Sequence, residues 1–186
     1  MASEACPTIS TELTKLFGIR HPILLAGMNV AAGPELAAAV TNAGGLGVIG
    51  GIGYTPSFLK KQIDLLKAAL NDKNAPFGVD LLLPETGGSA RKTNYDYTKG
   101  QLPELIDVII KEKAKVFVCA VGVPPKAVVE KLHAAGIPVM NMIGMFHQKE
   151  PDLGWFFLIL FFVDGGSFFF VQRSTKTCCE SLGCWG

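Results

Sequence analysis

Residues 21–29, HPILLAGMN, together with residues 34–51 decide the fold of this chain. The apolar run at 23–26 suits a short buried strand, and Gly27 interrupts it. Pro34 then suits the first turn of a helix, where a missing N–H costs no hydrogen bond. The glycine pair at 44–45 ends that helix before a second apolar strand at 46–51. A strand, a helix and a strand in this order predict a βαβ unit and a parallel sheet.

The same alternation continues along the chain. The pattern predicts strands at 23–26, 46–51, 77–83, 116–121 and 139–143. It predicts helices at 34–43, 56–70, 102–113 and 126–135. Helices that follow every strand are typical of a (β/α) barrel or of a doubly wound sheet. In both folds ligands bind at the carboxyl ends of the strands.

Composition excludes several classes of function. The chain has 186 residues, of which 49% are hydrophobic and 18% are charged, and its net charge is +1. This balance argues against nucleic acid or an anionic membrane as a partner bound by charge. The five cysteines form no CxxC pair, no metal motif is visible, and no signal peptide is evident at the start. We therefore expect a cytoplasmic protein.

One charge interrupts an otherwise apolar strand. Asp80 lies within the run 77–83, and an unpaired buried carboxylate costs several kcal/mol. Either Asp80 binds something polar, or backbone N–H groups of the following loop satisfy it; structural pairing is the commoner outcome. That loop, 86–101, is long enough to cover a pocket, although a surface excursion without a role fits it equally well.

Three further candidates have simpler structural explanations. His21 could be a base, but a partly exposed histidine at the foot of a strand is the commoner case. Cys119 could be a nucleophile, but within an apolar run it behaves as a small buried hydrophobe. Residues 45–50 match GxGxxG, yet they span a strand instead of opening a helix, so close backbone packing is the favoured interpretation.

The predicted carboxyl ends of the strands share one chemical character. They carry backbone, glycine and soft apolar groups at these positions: 27–29, 50–51, 80–83, 120–122 and 141–142. Such groups suit a flat aromatic cofactor better than a catalytic triad or a metal ion.

Four motifs give the chain its resemblance to a known family. Residues 21–28, 42–47, 76–81 and 132–137 read HPILLAGM, NAGGLG, PFGVDL and LHAAGI. In this combination, from about Thr11 to Gly144, the chain resembles the nitronate monooxygenases. The resemblance implies an α/β fold, here a partial, unclosed (β/α)8 TIM barrel of about five βα units. It also implies an enzyme that binds FMN and oxidises alkyl nitronates, or nitroalkanes, with oxygen.

The resemblance also implies a set of cofactor-binding residues. Matching positions are Gly27, Met28, Asn29, Asp80, Leu82 and Met142. Many members of the family carry asparagine where this chain has Asp80, and some carry lysine where it has Met142. Flavin-dependent enoyl-acyl carrier protein reductases share the early motifs and remain an alternative, as does a non-enzymatic fragment that associates through an apolar tail.

The chain departs from the family after about residue 145. The glycine-rich motif with the histidine base has no counterpart, and His147 does not replace it, so no catalytic residue is assigned and we expect an incomplete, poorly active form. The tail contains the apolar run 155–163, which is shorter than the about 20 residues of a membrane-spanning helix. We expect three parts: a leader at 1–10, part of an FMN-binding barrel at 11–145, and an atypical tail at 146–186 that suggests translated non-coding sequence.

Overall fold

A computed structural model describes residues 9–84, 95–145, 156–163 and 166–173, with side chains described for 9–84 and 95–141. The elements in chain order are α1 (Glu12–Phe17), α2 (Pro34–Asn42), β1 (Gly47–Gly51), α3 (Pro56–Ala69), β2 (Phe77–Leu83), α4 (Leu102–Lys111), β3 (Val116–Val121), α5 (Lys126–Ala134), β4 (Val139–Met145), β5 (Phe156–Val163) and β6 (Gly166–Arg173). The four predicted helices and the last four predicted strands are confirmed, with ends that differ by one or two residues.

The strands form one sheet in the order β1-β2-β3-β4-β5-β6. Strands β1 to β4 are parallel, whereas β5 and β6 pair antiparallel with their neighbours. The four parallel strands and their helices confirm an α/β fold with the unclosed sheet of a partial TIM barrel. Among the described helices, none has the length and apolar character needed to cross a membrane.

The first predicted strand needs a correction. Residues 23–26 form no strand; they make one parallel bridge, between Leu24 and Leu46. Two hydrogen bonds hold this bridge, from Leu25 N–H to Leu46 O at 2.9 Å and from Leu46 N–H to Ile23 O at 2.9 Å. Pro22 has no N–H to extend the ladder on one side, and the turn at Gly27 ends it on the other. The five expected parallel strands are therefore four strands and one bridge.

The two faces of the parallel sheet bury different clusters. The helix-covered face carries the larger core, in which Ile49, Val79, Leu81 and Phe117 pack against apolar side chains of the helices. The opposite face, called the inner face below, carries a smaller cluster: Phe17, Ile19, Leu46, Val48, Val116, Val118 and Met140. Phe17 ends α1, which begins with a capping box at Thr11. The short first helix thus supplies side chains to the inner face.

The glycines of the GxGxxG string allow close packing, as predicted. A Cβ on Gly47 would lie 2.0 Å from the carbonyl oxygen of Ala37 in α2. A Cβ on Gly50 would lie 2.6 Å from the backbone nitrogen of Met28. Helix α2 and the turn after residue 26 therefore approach β1 only because both positions lack a side chain.

Candidate functional site

A pocket opens at the carboxyl-terminal edge of β1 and β2. Its volume is about 210 Å³, and its lining residues are Gly27, Met28, Asn29, Gly50, Gly51, Ile52, Asp80 and Leu82. Five of the six predicted cofactor-binding residues are in this lining. Two segments that are distant in sequence meet here, namely the turn at 27–29 and the carboxyl-terminal end of β2. They meet because the bridge at Leu24 and strand β2 both run parallel to β1 and end at the same edge of the sheet.

Backbone hydrogen bonds hold the turn that forms one wall. Ala32 N–H donates to Met28 O at 2.7 Å, and Gly50 N–H donates to Ala32 O at 3.1 Å. Val30 has a φ of 65°, an uncommon conformation for a β-branched residue. The side chain of Met28 is left 63% exposed at the pocket. The turn thus presents an unpacked thioether beside a rigid backbone, instead of burying Met28 in the core.

Asp80 is the charged residue of the pocket lining. It is 2% exposed, and its Oδ1 has no hydrogen-bond partner among the described residues. A Cβ on Gly27 would lie 2.3 Å from Asp80 Oδ2, so the turn packs directly on the carboxyl group. Burial raises the pKa of Asp80 to about 7. The loop whose backbone N–H groups were expected to satisfy Asp80 lies mostly outside the described residues, so that interpretation stays a prediction.

The register of the sheet arranges the inner face in layers. Gly50, Asp80, Val118 and Met140 form one layer across β1 to β4. Leu82, Ala120 and Met142 form the next layer towards the carboxyl edge. Met142, the sixth predicted residue, thus shares a layer with Leu82, although its side chain lies outside the described ones. The site lies above the apolar inner cluster, at the level where the strands end.

The other candidates lie away from this pocket. The backbone N–H of His21 donates to Gly44 O at 2.9 Å, ahead of β1 and so at the amino-terminal edge of the sheet. Cys119 is fully buried, its Sγ donates to Met140 O at 3.1 Å, and burial raises its pKa to about 12, so the thiol is inert. Both structural interpretations are confirmed. Most of the loop 86–101 lies outside the described residues.

Sequence reasoning missed Ile52 as a lining residue. It follows β1 directly, so its position after a predicted strand was the available signal. Its side chain is half-buried beside Gly51 at the mouth of the pocket. A single isoleucine in a loop belongs to no motif. Only its position directly after β1 could therefore have predicted that Ile52 lines the pocket.

The lining fits one part of a flavin. Ligand pockets are mostly apolar with a few placed polar groups, and here Met28, Ile52 and Leu82 line the pocket together with Asp80. Gly27 and Gly50 form a cradle that a Cβ would fill. The volume of about 210 Å³ lies below the about 300–1,000 Å³ of complete ligand pockets. These residues suit one portion of the ring system, with the rest of the cofactor extending beyond them.

Comparisons with known proteins converge on one group of enzymes. The family described as nitronate monooxygenase matches residues 10–149. A dehydrogenase of Rhodococcus jostii, named for a hydroxy-methyl-oxo-octahydro-indene-carboxyl-CoA substrate, is 33% identical over 80% of this chain and 37% of its own length. A probable nitronate monooxygenase of Staphylococcus saprophyticus is 30% identical over 72% of this chain and 42% of its own.

Solved structures give the same likeness. FabK from Thermotoga maritima aligns with a TM-score of 0.58 at 34% identity, covering 71% of this chain and 37% of that one. A nitroalkane oxidase from Streptomyces ansochromogenes aligns with a TM-score of 0.55 at 26% identity, covering 69% and 41%. The chain therefore spans about two fifths of the length of the proteins it matches.

Proposed function

The chain belongs to the nitronate monooxygenase family, and we propose that it binds FMN and takes part in the oxidation of alkyl nitronates by oxygen. One observation carries this proposal: five residues assigned from the family pattern line a single pocket at the edge of the sheet where such folds bind ligands. Two of those residues are not obvious from chemistry alone, since Gly27 and Leu82 offer no reactive group.

Seven of the eight lining residues have a proposed role in holding the ring. The backbone of Gly27 and Gly50 permits close approach of a flat ligand, and Met28 contributes a polarisable side chain that adapts to an aromatic surface. Leu82 and Ile52 exclude water from the apolar part of the ring. Asp80 offers the one carboxyl group for a polar edge, and Asn29 offers an amide at the rim. Met142 joins them as a proposed contact from β4.

When bound, the flavin supplies two-electron redox chemistry that no side chain provides. A nitronate is already an anion, so its oxidation needs no base from the protein. A neutral nitroalkane must first lose a proton from carbon. Because the family's histidine motif has no counterpart in this sequence, we propose that the chain favours nitronates over nitroalkanes.

The test compares two exposed apolar side chains, one at the site and one outside it. Met28 is 63% exposed at the pocket, and Leu65 is 50% exposed on α3. Burying a methionine against a ligand is worth about 1.5–3 kcal/mol, so Met28→Ala should weaken FMN binding by about tenfold or more. Leu65→Ala should leave the dissociation constant unchanged. FMN binding is measured by fluorescence titration, because the affinity of residues 1–186 is expected to be low.

Activity is then measured with FMN in excess. Oxygen uptake is recorded with an alkyl nitronate and with the corresponding neutral nitroalkane, and uptake should be faster with the nitronate. Equal effects of the two alanine variants would contradict the proposed site. Faster uptake with the neutral nitroalkane would contradict the proposed substrate preference.

A second candidate is a flavin-dependent enoyl-acyl carrier protein reductase. The likeness to FabK supports it, with a higher TM-score and identity than the likeness to the nitroalkane oxidase. The same ring pocket would serve both reactions, so the pocket does not choose between them. Consumption of a reduced nicotinamide cofactor with an enoyl thioester, without oxygen uptake on nitronate, would favour this reductase.

A further inference from the structure

We propose that the pocket takes its flat heterocyclic ligand through the neutral, protonated carboxyl group of Asp80, so that binding keeps one proton on the protein. This inference rests on the proposed flavin site and adds its regulation by pH. An asparagine at this position would be neutral at every pH, whereas the aspartic acid of this chain changes its charge.

The geometry buries the carboxyl group and leaves Oδ1 without a partner among the described residues. Asp80 is 2% exposed, with Oδ1 buried and unpartnered among the described residues. Gly27 closes over Oδ2, since a Cβ there would lie 2.3 Å away. A neutral carboxyl group tolerates such burial far better than a carboxylate does, and it has an O–H to donate.

The described neighbours of Asp80 on the inner face offer no compensating charge. In the layer of Asp80, the neighbouring strands contribute Gly50, Val118 and Met140, and the turn at 27–29 carries no titratable group. Among the described residues, Cys119 is a titratable group that interacts electrostatically with Asp80, and its thiol stays neutral because burial raises its pKa to about 12. Within the described residues, therefore, burial alone sets the pKa of Asp80 at about 7.

Two modes of contact are open to this carboxyl group, and they have opposite pH dependence. A protonated carboxyl donates to an accepting oxygen or nitrogen of the ligand ring, whereas a carboxylate accepts from a ring N–H. The apolar layer below Asp80 and the absence of a described cation beside it favour the neutral, donating form. Ionisation then removes the donor, and the observed affinity falls in proportion to the protonated fraction.

The experiment titrates the full chain with FMN between about pH 5.5 and about pH 8.5, for the wild type and for Asp80→Asn. For a group with a pKa of about 7, the wild-type dissociation constant should be about tenfold larger at pH 8 than at pH 6. The FMN phosphate itself titrates at about pH 6. Asp80→Asn reports that contribution separately, because its amide does not ionise. Asp107→Asn, the same substitution at an exposed carboxylate of α4, should keep the wild-type profile.

A second measurement needs no variant. Calorimetric titration with FMN in buffers of different ionisation enthalpy counts the protons taken up on binding. The wild type should take up close to one proton per FMN at about pH 8, where the phosphate is already ionised.

The outcomes separate the two proposals. An affinity that is flat or rises with pH, with no proton uptake, would overturn the proton-coupled contact and leave the flavin site standing. A profile identical in the wild type and Asp80→Asn would do the same. Failure of FMN to bind at any pH, in the wild type and in Asp80→Asn, would overturn the proposed function itself.

Discussion

The two faces of the parallel sheet treat a buried polar side chain in opposite ways. On the helix-covered side, the hydroxyl of Thr41 accepts from Gly47 N–H at 2.9 Å and donates to Pro76 O at 3.2 Å. On the inner side, Asp80 is buried with its Oδ1 unpaired among the described residues. The first arrangement satisfies a polar group and ties α2 to β1 and to the residue before β2. The second leaves a costly group unpaired in the lining of the pocket.

This difference separates residues that determine the fold from residues that form the site. Satisfied polar groups and close apolar packing stabilise a structure whatever it binds. An unpaired buried carboxyl group in a cleft works against stability, and such groups concentrate at functional sites. Three pairs of substitutions test whether the two faces are distinct in this way.

The largest expected effect comes from adjacent leucines that point to opposite faces of β2. Leu81 is 1% exposed within the helix-covered core, so Leu81→Ala should lower the free energy of unfolding by about 2–5 kcal/mol. Leu82 is half-buried at the pocket, so Leu82→Ala should cost less stability. Its main effect should be on the FMN dissociation constant. Urea unfolding and FMN titration of both variants make the comparison, and equal losses of stability would show that the faces are not distinct.

The next effect concerns the charge on the inner face. Burial raises the pKa of Asp80 to about 7 in the folded state from its ordinary value of 3.8, so the folded protein binds its proton more tightly than the unfolded chain. Its contribution to stability is therefore complete below about pH 4 and is lost as the pH rises to about 7. At about 1.4 kcal/mol per pH unit, the total is about 4 kcal/mol.

Asp80→Asn should remove this dependence, so its advantage in stability over the wild type should grow between about pH 4 and about pH 7. The free energy of unfolding is measured across that range by urea denaturation. Asp107→Asn is the matched control, because Asp107 is an exposed carboxylate paired with Lys131 at 2.5 Å. It should change stability by less than about 1 kcal/mol. Parallel curves for the wild type and Asp80→Asn would contradict the unpaired state of Asp80.

The helix-covered face was predictable from the sequence because its signals are local and repeated. Thr55 and Pro56 mark the start of α3, and Leu59, Ile63 and Leu66 recur at helical spacing on its buried side. Capping and periodicity act within a few residues, so a single sequence contains them. The lengths of β2 and β3 followed in the same way from their apolar runs.

The inner face was only partly predictable because its contacts join distant segments. The oddness of Asp80 was visible in its apolar strand, but its missing partner was not, since that depends on the turn at Gly27 lying over it. The strand expected at 23–26 failed for a similar reason. An apolar run predicts burial, whereas Ile23 is 62% exposed and only Leu24 forms a bridge. The position of Phe17 on the inner face could likewise be read only from the folded structure, because α1 is distant in sequence from most of the strands that it contacts.

The smallest of the three effects tests the contact that joins the turn to the carboxyl group. A Cβ at Gly27 would lie 2.3 Å from both Cβ and Oδ2 of Asp80, so Gly27→Ala forces the turn or the carboxyl group to move. Such overpacking costs about 1–3 kcal/mol. Gly33→Ala is the matched control, because a Cβ at Gly33 meets its nearest atom, Val30 O, at an ordinary 3.6 Å. Gly33 is the N-cap residue of α2, where alanine costs about 1 kcal/mol or less.

The two glycine variants should differ more in pH dependence than in stability. Displacing the turn in Gly27→Ala admits water to Asp80, which lowers the pKa of the carboxyl group towards its usual range. The pH dependence of FMN binding should therefore move to lower pH and flatten near neutrality, whereas Gly33→Ala should keep the wild-type profile. If Gly27→Ala binds FMN with the wild-type affinity and the wild-type pH profile, the turn does not shield Asp80, and the inner face owes its unusual carboxyl group to the strands alone.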